Sequence, residues 1–124
     1  MSDSIGDKAK ELAESLEELA KKEGLELLEK AKAVGKDAFN KLTGDGLELV
    51  KGALTDLARL KIKQAAGQHV GREVAIVEST LYDLKTVVSI EAMRAIRDVV
   101  MASAGHATNI FAGLFGRVMK VFGA

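Results

Sequence analysis

The run Val99–Gly116, VVMASAGHATNIFAGLFG, with the RVMKVFGA that closes the chain at Ala124, decides how this protein must fold. Its first 18 residues carry no formal charge, and three of the four phenylalanines, Phe111, Phe115 and Phe122, lie within 99–124. A helix advances about 100° per residue. Ile110, Phe111, Leu114, Phe115, Val118, Met119, Val121 and Phe122 then share one face, opposite His106, Asn109, Gly113, Arg117 and Lys120. Burying an apolar side chain of this size stabilises by roughly 1.5–3 kcal/mol, so eight of them represent roughly 10–20 kcal/mol gross. A face that apolar requires a cover: the rest of the chain, another copy, another protein or a bilayer. These eight residues are the candidate oligomer or membrane contact.

The opposite face is small. Ala104, Thr108, Ala112 and Gly116 recur every four residues, as do Gly105, Asn109 and Gly113, a spacing that resembles the small-xxx-small contacts of membrane helices. These seven are candidates for close helix packing, or for lining a water-filled lumen beside His106. As a single membrane span the run is borderline, since about 20 predominantly apolar residues are needed and His106, Thr108 and Asn109 interrupt it. An interfacial helix with Arg117 and Lys120 at the headgroups, several copies spanning together, or the core helix of a bundle all fit.

Working outward, Ser2, Asp3 and Ser4 offer N-caps, with Asp7 three residues after Ser4. Ile5, Ala9, Leu12, Leu16 and Leu19 follow at steps of four, three, four and three, an a/d seam. The seam shifts through Ala20 and Gly24 and resumes at Leu27, Ala31, Val34 and Ala38, as a stutter does. One helix over about 4–42 is expected; a break at Gly24, which costs about 1 kcal/mol relative to alanine, is the alternative. Glu17 with Lys21 and Glu26 with Lys30 have supporting spacing on its outer face. Thr43-Gly44-Asp45-Gly46 reads as a turn, with Gly44 suited to a left-handed C-cap and Asp45 to capping the next helix. Leu47, Val50, Leu54, Leu57, Ala58 and Ala65 then face inward, and Lys51, Arg59 and Lys63 outward, giving an antiparallel hairpin. Its seam is assigned to Leu12, Leu16, Leu19, Leu27, Val34, Leu54 and Leu57.

Gly67–Gly71 marks another turn or a close crossing. Val70, Val74, Val77, Leu81, Leu84 and Val88 recur at helical steps, although β-branched residues also allow a short strand over 72–78. Ser89 is a plausible N-cap ahead of Ile90, Met93, Ile96, Val100 and Ala104, and Gly105 interrupts or bends the approach to the last helix. The expected fold is all-α: a long N-terminal hairpin, shorter helices, and a Phe-rich amphipathic end. The 124 residues suit one domain, divided into a charged hairpin over 1–66 and an apolar assembly or membrane-contact region over 67–124.

Charge is polarised within a net of zero. Residues 1–48 carry eight lysines against twelve acids, a balance of −4, and residues 49–124 ten cations against six acids, a balance of +4. This polarity could align copies or set a basic end near an anionic surface. Without proline, long uninterrupted helices are the simplest reading. Without cysteine there is no disulfide framework or thiolate chemistry. The opening MSDSIGDKAKELAE is too charged for a secretory signal, so synthesis in the cytosol is expected, followed by assembly into a larger particle or association with a membrane.

Catalytic chemistry is not indicated. His69 and His106 lie in different segments with no carboxylate or second imidazole at i+3 or i+4, so no zinc motif forms. Gly44-x-Gly46 lacks the third glycine of a dinucleotide fingerprint, and Gly35-Lys36-Asp37 lacks the parts of a phosphate loop. Glu73, Glu78 and Asp83 do not converge and are expected to face water. Arg59, Lys61, Lys63 and Arg72 have no aromatic residues among them for base stacking, so nucleic acid is not an expected partner. The expectation is a non-enzymatic assembly protein without cofactor, metal or small-molecule substrate. It would form a homo-oligomer (a ring, a tube or a virion- or envelope-associated channel) through the seam and the apolar end, with lipid contact through 99–124 as one form. The alternative is a soluble adaptor whose apolar surface receives a partner's helix.

Overall fold

The computed structural model describes residues 4–123, with side-chain surroundings from residue 7 onward. Ser2, Asp3 and the Ile5 side chain therefore lie outside the described residues. The fold is all-α: α1 (Ser4–Val34), α2 (Lys36–Asn40), α3 (Gly44–Ala65), α4 (Gly71–Asp83), α5 (Ile90–Ala102) and α6 (Thr108–Val121), with single 3-10 turns at Leu84–Thr86 and Gly105–Ala107. No strand occurs among the described residues, and 72–78 lies within α4. The helical steps of Val77, Leu81 and Leu84, all buried, prevail over the β-branched composition.

The first helix is shorter than its pattern suggests. It ends at Val34, and Gly35 redirects the chain into α2, which places Phe39 in the core. A Cβ on Gly35 would lie 2.9 Å from that of Ala95, so the bend coincides with a close approach to α5. Gly24 causes no break. It lies inside α1 where a Cβ would meet Thr55 Oγ1 at 2.7 Å and Thr55 Cα at 2.9 Å, the two helices touching backbone to side. The turn chemistry before α3 also differs from expectation. Thr43, not Asp45, is the N-cap, its hydroxyl accepting from the Gly46 N–H at 3.0 Å. Gly44 is the first residue of the helix, not a left-handed cap.

Other ends follow their sequence signals. Gly67 has φ +75°, donates to the Gln64 carbonyl, and lets Gln68 donate to that of Lys63, both at 3.0 Å. This is the Schellman arrangement, and it satisfies carbonyls that α3 would otherwise leave open. Ser89 caps α5 by accepting from the Ala92 N–H at 3.2 Å. Gly105, φ +54°, reverses the backbone between α5 and α6.

α1 and α3 form the expected antiparallel hairpin as one layer. α5 lies along α1, α4 against α3, and α6 against both α4 and α5, making the second layer. One core cluster draws residues from all six helices, including Leu27, Phe39, Leu54, Leu57, Val77, Leu81, Met93, Ile96, Phe111 and Phe115.

Candidate helix-docking surface

The apolar end is covered by its own chain. Phe111 is 1% exposed and Phe115 2%, and Leu114, Val118 and Met119 are also buried, within the cluster formed with α4 and α5. These five belong to the core of a single copy, so the expected need for siblings or lipid to cover them does not arise in this fold. Ile110 and Phe122 are half-buried against the same cluster, and Val121 alone of the eight is exposed. No helix among the described residues is long and apolar enough to cross a membrane. The uncharged run is divided at Gly105–Ala107, leaving α6 only 14 residues.

The small face behaves differently along its length. Ala104 is fully buried. Gly105, Thr108, Asn109, Ala112 and Gly116 are exposed, and Gly113 is half-buried. A Cβ on Gly116 would meet nothing within 4 Å. His69 and His106 are both exposed, in separate segments. Among the described residues no group of three or more His, Cys, Asp or Glu side chains converges as metal ligands would.

What stays open is the first part of the α1 seam and, at the other end of the helix, Val34. Leu27, Leu54 and Leu57 are buried, closing the hairpin. Leu12 is 72% exposed, Leu19 55% and Val34 62%, with Leu16 intermediate. Helix length explains part of this. At about 1.5 Å per residue the 31 residues of α1 outrun the 22 of α3. Extending the alignment of Gly24 with Thr55, Ala65 at the end of α3 falls opposite about residue 14 of α1. Ahead of that point α1 runs past the end of α3. Where the helices do overlap, Leu16, Leu19, Ile62 and Ala66 line a shallow groove of about 640 Å³ that also takes in Ala9 and Leu12.

Ion pairs link neighbouring helices, and Glu17 and Lys63 of the groove lining take part in two of them. Arg59 donates through Nε and Nη2 to both Glu17 oxygens, at 2.6 and 2.8 Å, and through Nη1 to Asp56 at 2.7 Å. The bonds from Arg59 hold the Glu17 carboxyl below its ordinary value of 4.5, and Glu17 in turn holds the guanidinium charged. Glu17 thus pairs across the hairpin in addition to any interaction with Lys21 along its own helix. Lys61 bonds Glu23, and Lys63 bonds Glu73 at 2.8 Å, lowering the Glu73 pKa. Arg117 of α6 bonds Glu78 of α4. Glu73 and Glu78 therefore bind cations instead of simply facing water, and three of the four cations weighed as phosphate contacts are engaged within the protein. These cross-helix pairs were beyond sequence reading, because spacing along one helix carries no information about the facing one.

Comparison with known protein families, curated proteins and solved structures returns no match.

Proposed function

We propose that the chain is a non-enzymatic assembly module that associates with further copies of itself through the open seam of α1. One observation carries this reading: Leu12 and Leu19 keep coiled-coil spacing yet stand 72% and 55% exposed, beside Leu16 and Ile62 in the groove. Isolated exposed leucines are ordinary, but leucines in register on one stripe form a surface another helix fits. The acidic first part and basic remainder of the chain favour ordered over random association. The Phe-rich end contributes at most its rim, Ile110, Val121 and Phe122.

Sedimentation equilibrium of the wild type beside a Leu12→Glu/Leu19→Glu variant tests the reading. The expected result is a concentration-dependent oligomer that the double substitution reduces to monomer without loss of helical signal. A wild-type monomer at all concentrations would overturn it. The groove between α1 and α3 would then favour the second reading, an adaptor that receives a partner's amphipathic helix.

A further inference from the structure

α1 is one continuous helix, but its attachment to the rest of the protein is uneven. Between residues 7 and 19 no side chain is buried; Ala20 is the first, followed by Gly24, Leu27, Leu28 and Ala31. From Gly24 the helix is locked against Thr55 by a contact too close for a Cβ. Ahead of Ala20, among the described residues, the hydrogen bonds that reach another element all come from Arg59 to Glu17. With Leu16, half-buried in the groove, as its deepest apolar contact, this segment relies on that polar attachment and opens locally at less cost than the packed portion.

We infer that the part of α1 ahead of Ala20 is an arm latched onto α3 by the Glu17–Arg59 pair, pivoting where Ala20 and Gly24 begin the packed portion. Closed, the arm forms one wall of the groove through Leu12 and Leu16, opposite Ile62 and Ala66. Released, it separates that wall from α3 while the packed portion stays in place. Asp56 retains the other guanidinium nitrogen of Arg59, so the cation is not stranded when Glu17 leaves. The latch depends on charge and is partly exposed, with side-chain exposures of 24% for Arg59 and 43% for Glu17, so added salt weakens it. This inference concerns the single chain, and its test is run at low concentration, where association through the groove does not hold the arm.

The absence of native cysteine makes the arm directly measurable. Spin labels on Glu11→Cys and Lys85→Cys, both exposed sites, report the arm; labels on Glu29→Cys and Lys85→Cys report the packed portion. Dilution into unlabelled protein confines the dipolar signal to one chain. In wild-type background at low salt both distance distributions are expected to be narrow. Glu17→Gln should broaden the arm distribution, with the displaced fraction rising roughly two- to five-fold, and leave the packed one unchanged. Glu17→Asp, which keeps a carboxylate on a shorter stem, should broaden the arm distribution less than Glu17→Gln. An arm distribution unaltered by Glu17→Gln, or equal broadening of both pairs, would overturn the latch.

Discussion

Gly24 of α1 lies directly on Thr55 of α3: a Cβ there would fall 2.7 Å from Thr55 Oγ1, 2.9 Å from its Cα and 3.0 Å from its nitrogen. Two of those atoms are backbone and cannot rotate away. Gly24→Ala would gain about 1 kcal/mol in helix propensity but force the helices apart, and overpacking of this kind costs about 1–3 kcal/mol. The net expectation is a lower midpoint in denaturant, read by circular dichroism. An unchanged or raised midpoint would show that the hairpin relaxes freely at this crossing.

Gly116→Ala should act in the opposite direction. The glycine is exposed, lies in α6, and has open space where a Cβ would go. With no clash to offset it, the substitution should stabilise by up to about 1 kcal/mol, raising the thermal midpoint. If it also weakened self-association, the small face of α6 would be in contact with a neighbouring chain.

Phe111→Ala and Leu12→Glu separate the two apolar stretches. Removing a fully buried phenylalanine costs about 3–5 kcal/mol, enough to unfold much of a small domain. Leu12 is largely solvated, and a surface change of this type falls within about 0.5 kcal/mol of neutral. Chemical denaturation of both variants at low concentration checks the contrast, and comparable losses would contradict the burial pattern.

Acid should loosen the protein through its lowered carboxyls. Glu17 and Glu73 bind protons more weakly in the folded chain than at their ordinary value of 4.5, because Arg59 and Lys63 bond their ionised forms. The unfolded chain therefore takes up protons first as pH falls. Their contribution is full at neutral pH and is lost as pH drops below about 4.5 through the lowered values. Denaturant midpoints from pH 7 to 3 should decline over that window, with a shallower decline in Glu17→Gln.

The sequence made the helices legible because their apolar residues recur at helical steps and their caps, Ser89 above all, stand where those steps begin. It made the cost of exposing Phe111 and Phe115 legible too, but not their cover, because the faces of Val77, Leu81, Met93 and Ile96 become a lid only once the chain has turned back twice. Gly24 and Gly35 look alike in an amphipathic pattern. The first permits the close contact with Thr55, and the second marks the end of α1 beside Ala95. The Leu/Ala seam has the same repeat where α3 covers it and where it does not, so periodicity alone could not separate Leu27 from Leu12.

The Gly24–Thr55 contact sets the axial alignment of the hairpin, and the Glu17–Arg59 pair forms only in that alignment. A repeating leucine stripe can slide by a turn, about 5.4 Å, and still present leucine to leucine. Such slippage would carry Glu17 beyond the guanidinium's reach and move Gly24 off Thr55, placing a bulkier residue at the crossing. One steric key thus gives an otherwise degenerate zipper a single setting, and every later helix inherits it.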